Sequence, residues 1–196
     1  MKVSLLLLIA SLTLASCHKV NDVIEGQHSG IQKGQFIKYT IAAGAQYCDQ
    51  SSYRAVELDE MKYTVRFDSS AIYQTADPAN QYDINKLFGF SDNNSDHHQY
   101  SARIGWRWSE GALRLFGYVY NAGLVSSIEL CTVPIGEDIS CSITASNDVY
   151  KFAIGNNTRQ LPRSAATPRA KGYQLYPYFG GDETAPHEIH IWMKEN

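Results

Sequence analysis

Positive charge is thin in this chain: 17 Lys and Arg stand against 20 Asp and Glu, a net of −3, with no basic cluster. Phosphate recognition needs concentrated positive charge, so nucleic acid is excluded as a partner. Long apolar runs are also missing, and the stretch within residues 1–16 is too short to cross a bilayer as a helix. No segment sustains a convincing helical period, and no internal repeat is visible. Helical bundles, transmembrane helices and repeat arrays therefore drop out. Cysteine is sparse, with four in 196 residues.

The beginning of the chain says where the protein goes. Lys2 opens it, an apolar stretch runs from Val3 to Leu12, and Leu14-Ala15-Ser16-Cys17 closes it. That is the layout of a cleavable export signal. The closing tetrapeptide resembles the bacterial lipobox, which implies cleavage before Cys17 and acylation (palmitate among the acyl chains) of that residue. The resemblance implies a membrane contact through the lipid anchor only, at the cell envelope and in the outer membrane. His18-Lys19-Val20-Asn21 precede Asp22, which departs from the acidic start of surface-exported lipoproteins, so the leaflet stays open. Losing residues 1–16 removes Lys2 and no acid, leaving 16 basic against 20 acidic side chains, a net of −4. The expected layout is a signal at 1–16, a flexible polar tether at 17–33 and one domain at 34–196.

Within that domain, short β-like runs are broken by Gly, Asn, Asp, Ser and Pro. Tyr63, Val65 and Phe67 alternate with Thr64 and Arg66, and Ile189, Ile191 and Met193 alternate with His190 and Trp192. About ten strands without a helix predict an all-β, antiparallel two-sheet β-sandwich, with one helical turn within 79–88. Ser109-Glu110-Gly111 and Asn121-Ala122-Gly123 read as hairpin turns. Cys131 and Cys141 each stand five residues from Gly136. If a hairpin turns there they face each other, and two readings stay open: a cross-strand disulfide or two buried thiols.

The runs GALRLFGYVYNAG (111–123), DVYKFAIGN (148–156) and HEIHIWMK (187–194) resemble concanavalin-A-like jelly rolls. DSSAIYQT (68–75), NSDHHQYSARIGWRW (94–108) and YPYFGGDETAPHEI (176–189) are similar to uncharacterised lipoproteins of Bacteroidota. The resemblance implies the jelly-roll fold and an envelope location. It brings no activity, because such folds serve lectins, binding modules, glucanases and lyases alike.

Catalytic motifs are incomplete. Glu57-Leu58-Asp59-Glu60-Met61-Lys62 begins like the E-x-D-x-E strand of laminarinase-type hydrolases, but Met61 or Lys62 stands where the second carboxylate is needed. For a polysaccharide lyase acting on uronate-containing glycans, His98 or Tyr150 would be the base and Arg103 with Gln99 would hold the carboxylate. Asp92, Asn94 and Asp96 alternate like the start of a calcium loop, yet His97 and Arg103 occupy the Gly and Glu places. No metal ligands and no cofactor are assigned, which leaves room for one structural calcium.

Sugar binding asks least of the sequence. Sugars present apolar C–H faces to aromatic rings and hydroxyls to polar groups. The expectation is therefore a non-catalytic module binding a polysaccharide or oligosaccharide. Its candidate rings are Trp106, Trp108, Tyr176 and Trp192, with Arg103, His98 and Asp182 as polar partners. An envelope scaffold that contacts other proteins is the remaining alternative.

Overall fold

The computed structural model describes residues 34–196. The export signal expected at 1–16, the acylation expected at Cys17 and the tether expected at 17–33 lie outside the described residues. Among the described residues, twelve strands form two antiparallel sheets. In chain order they are β1 (Ile37–Ile41), β2 (Ala55–Leu58), β3 (Glu60–Phe67), β4 (Asn85–Ser91), β5 (Tyr100–Ser109) and β6 (Ala112–Asn121). Then follow β7 (Leu124–Val133), β8 (Ile139–Ala145), β9 (Val149–Ile154), β10 (Asn157–Pro162), β11 (Ala170–Leu175) and β12 (Ile189–Glu195). One sheet has the order β1-β12-β3-β8-β9-β10, and the other β2-β11-β4-β5-β6-β7. Among the described residues no helix is long and apolar enough to cross a membrane.

The alternation that predicts strands also decides which face is core. Met61, Tyr63, Val65 and Phe67 of β3 are buried while the residues between them are not. Their inward rings meet those of the other sheet, as where Tyr63 packs on Phe88 at 4.7 Å and Phe67 on Trp106 at 5.4 Å. Each large side chain so buried contributes about 1.5–3 kcal/mol. The hairpin turns fall where expected. Glu110 and Gly111 have φ of 53° and 72°, and Ala122 and Gly123 have 52° and 78°, the paired positive values that match the twist of flanking strands.

The helical turn expected within 79–88 is present as a 3₁₀ segment at Pro78–Tyr82, while strand β4, which begins at Asn85, takes up the end of that stretch and was not expected. Its Leu87-Phe88-Gly89-Phe90 run is buried on both faces, so it shows no alternation to reveal it. Cys131 and Cys141 do not share a hairpin. Cys131 lies on β7 and Cys141 on β8, which belong to opposite sheets, so the chain crosses between layers around Gly136. Both thiols are free.

A buried ion pair locks the sheets together at one end. Asp92, just past β4, receives Arg163 Nε at 2.8 Å, and neither side chain is exposed. Its oxygens also accept the Tyr150 hydroxyl of β9 at 2.8 Å and the Lys171 amide at 3.0 Å. Arg163 spends its remaining donors on the carbonyls of Ser146, Thr167 and Arg169. Burial pushes the Asp92 carboxyl up, but Arg163 and the other donors outweigh it and hold it below the ordinary value of 3.8. Asp92 is therefore committed to Arg163, Tyr150 and the Lys171 amide rather than to a calcium loop. Tyr150, engaged here and buried, is likewise removed as a lyase base.

Candidate functional site

Across the outward face of the second sheet runs a groove of about 660 Å³. Pairing register builds its floor. Arg103 on β5 stands opposite Tyr118 on β6 and Gly89 on β4, while Ser101 stands opposite Tyr120 and Ser91. Partners in an antiparallel pair project to the same side, so Arg103, Tyr118 and Tyr120 rise together into the groove. Beside them is Lys86 of β4.

The segment after β11 makes one wall. Tyr178 exchanges backbone hydrogen bonds with Lys86, at 2.8 and 2.9 Å, so the loop continues the sheet for one residue. Glu183 fixes the loop further by accepting the amides of Ala76 and Asp77, both at 2.8 Å, and the Asn80 side chain at 2.9 Å. Tyr176, Pro177, Tyr178 and Gly181 line the groove from this side, and Tyr47 and Tyr82 stand at its edges. Tyr47 is 71% exposed and meets the Tyr178 ring edge-on at 4.9 Å. A β-carbon on Gly180 would sit 2.9 Å from the Lys86 ammonium, so glycine there makes room for the cation.

The electrostatics of the floor are unusual. Arg103 is only 8% exposed, and its Nε has no hydrogen-bond partner among the described residues. No carboxylate of the described residues forms an ion pair with it; Tyr118, Tyr120 and Tyr173 are the groups first felt by its charge, after burial itself. Lys86 lies 4.2 Å above the Tyr118 ring. Burial, and then Arg103, push its ammonium down to about 8. Burial pushes the Tyr118 phenol up to about 12. Two cations therefore face a shielded cavity in which, among the described residues, the only lining carboxylate is Asp83. A buried cation without a partner is costly and is normally paired.

Sequence-predicted residues divide between groove and core. Arg103, His98 and Tyr176 line the groove. Trp106 does not: it is fully buried between Phe67 and Tyr73, and its indole nitrogen has no partner among the described residues. Trp108, two residues on, shares the inward face and packs on the core. Trp192 lies on β12 in the other sheet, with Lys38 5.8 Å from its ring, away from the groove. Asp182 is exposed on the loop next to Gly181, its amide 3.3 Å from the Asp83 carboxylate, and does not line the groove. Gln99 stands instead against the Gly123 turn. The rings that the sequence reading left out are Tyr47 and Tyr82; the even spacing of Tyr118 with Tyr120 and of Tyr176 with Tyr178 marks each pair in the sequence, but not which pair is floor and which is wall.

The hydrolase motif is dispersed too. Glu57 pairs with Lys171 at 3.0 Å and Asp59 with Arg169 at 2.9 Å, both on exposed surface outside the groove. Glycoside hydrolysis uses two carboxyl groups across the scissile bond. The groove lining supplies one.

No protein-family model matches the chain, and no curated protein matches it. Among solved structures it is similar to the alginate lyase AlyC3, with 8% identity and a TM-score of 0.57 over 82% of this chain and 74% of that one. The same lyase in complex with dimannuronate gives a TM-score of 0.53 at 8% identity, over 82% and 73%. A glycoside hydrolase family 16 endo-glucanase from Bacteroides ovatus gives 0.52 at 9% identity, over 86% of each chain. At such identities the likeness shows the fold, a concanavalin-like jelly roll.

Proposed function

We propose that the groove binds an acidic polysaccharide without cleaving it, holding a uronate carboxylate on Arg103 and Lys86. The observation that carries this reading is the shielded, unpartnered Arg103 guanidinium on the floor of a tyrosine-lined cavity. A bidentate carboxylate is the natural complement of a guanidinium fork. Tyr47, Tyr82, Tyr176 and Tyr178 supply flat faces for sugar C–H surfaces on either side. The structural neighbours support this reading, since one of them is an alginate lyase seen with dimannuronate. An envelope-anchored lipoprotein carrying such a groove would capture polysaccharide at the cell envelope.

Binding is favoured over cleavage by the state of Tyr118. It stands opposite Arg103, where a base abstracting the proton α to a bound carboxylate would act, yet burial lifts its phenol to about 12. A general base works best when its pKa lies near the working pH. A lyase would instead have to use His98, which also lines the groove, and one experiment separates the two readings. Affinity electrophoresis against alginate, pectate and neutral glucan is expected to retard the protein with the two uronate polymers alone. The same mixtures are expected to show no rise in the ultraviolet absorbance of unsaturated uronate. A rise would make the protein a lyase, and retardation by glucan alone would remove the carboxylate from the account.

The affinity is also expected to depend on pH. Lys86 faces Arg103, Tyr118 and the Asp83 carboxylate. Its ammonium loses its proton near pH 8 in the free protein, and a bound carboxylate raises that value. Affinity should therefore be level below about pH 8 and fall above it, by up to about tenfold per pH unit until the bound-state value is passed. Calorimetric titration across that range checks this, and Lys86→Arg should flatten the decline.

A further inference from the structure

We infer that Asp96, His97 and His98 form a binding site for a divalent transition-metal ion, with zinc the ion their chemistry fits best, on the rim of the groove. One donor atom from each of the three lies within 4.8 Å of the others. Asp96 Oδ1 is 3.3 Å from His98 Nδ1, and Asp96 Oδ2 is 3.7 Å from His97 Nδ1. Zinc bonds of about 2.0–2.1 Å in tetrahedral geometry place ligand atoms roughly 3.3–3.5 Å apart. The observed Asp96–histidine separations of 3.3 and 3.7 Å are close to that spacing.

The loop that carries these residues is held at both ends. The Gln99 and Tyr100 amides donate to the Asp96 carbonyl at 2.9 and 3.1 Å. The Ser101 hydroxyl donates to the His97 carbonyl at 2.7 Å, and the His98 amide to Asp96 Oδ1 at 2.8 Å. The rings are seated as well, with His98 packed edge-on against Tyr120 at 5.3 Å and His97 against Tyr173 at 6.2 Å. Three consecutive side chains thus converge from one braced turn. Two imidazoles and one carboxylate suit zinc, copper or nickel, and three protein ligands leave a coordination position open. Calcium wants six to eight oxygens and finds a single carboxylate here. The Tyr173 hydroxyl is 2.9 Å from His97 Nδ1, so a metal on that nitrogen competes with it.

The test uses the full chain without a polyhistidine tag, stripped with a chelator and titrated with zinc chloride by calorimetry, no sugar present. The metal and glycan readings can then fail separately. Saturable binding is expected, with one equivalent lost in each of Asp96→Asn, His97→Ala and His98→Ala. Losing an outer-shell partner alone costs about 10–100-fold in metal affinity, so each ligand loss should cost at least about tenfold. Tyr173→Phe should bind at least as tightly, and calcium chloride should give no saturable heat. Cobalt(II) in place of zinc should give the intense visible bands of low-coordinate geometry, absent in the variants. No saturable zinc binding, or binding unchanged in all three variants, overturns the proposal. The latter would put the ion on other histidines of the chain, such as His18, His28, His187 or His190.

Discussion

Replacing Arg103 by Met is expected to stabilise the fold and abolish recognition of acidic glycans in a single step. The guanidinium is buried with its Nε unpartnered, so the folded chain carries a desolvation penalty that no ion pair offsets. An apolar side chain of similar length fills the same space without that penalty. Exchange of buried ionic groups for apolar ones is often neutral or stabilising by about 1–4 kcal/mol, and a lone cation belongs in the favourable part of that range. For a domain of this length each kcal/mol moves the melting temperature by roughly 2–4 °C. Losing the charged partner of a buried carboxylate should weaken binding by about 2–4 kcal/mol, roughly 30- to 1000-fold. Thermal melts and calorimetry with a uronate oligomer read the two effects on one preparation. Stability that falls while binding persists would mean that Arg103 is a structural residue, and the proposed function would go with it. Stability sacrificed at a binding site is a familiar trade.

Breaking the other buried cation's contacts should do the opposite. Arg163 is fully satisfied, and Asp92 receives it together with Tyr150 and backbone amides. Arg163→Met leaves a buried carboxylate facing an apolar chain, and Asp92→Ala leaves a buried guanidinium. Either should cost about 3–5 kcal/mol, lowering the melting temperature by roughly 6–20 °C. The double replacement should recover part of the loss, because the penalty lies in the orphaned charge. The pair also sets an acid limit. Asp92 ionises below 3.8 when folded, so its contribution is complete above that value and disappears as pH falls through the depressed one. The difference in stability between the native chain and the double replacement should accordingly shrink below about pH 4. Denaturant midpoints across that range are the measurement. A constant difference would show that the carboxylate is not held below its ordinary range.

The strands with one wet face were legible because their side chains alternate, and β3 and β12 fall where alternation puts them. Strand β4 was hidden because both of its faces are covered, which removes the period. The two-residue rule also contained more about the site than composition did. Arg103 and Trp106 differ by an odd number of positions on one strand, so they cannot share a face. Burying the indole then sends the guanidinium outward. Strand β5 is therefore a core strand in its tryptophans and a site strand in its arginine. Tyr47 and Tyr82 gave no such sign, since they stand outside the strands where no period applies.

What the amino-acid order determined alone was the class: an antiparallel sandwich with hairpin turns at glycines. These depend on neighbours in sequence, where period and turn chemistry act. The tertiary structure decided which rings meet water, and it spent Asp92 on Arg163 while leaving Arg103 without an anion. Pairings of that kind join residues about seventy positions apart, so they are set by strand order and register across the two sheets, which local patterning does not encode.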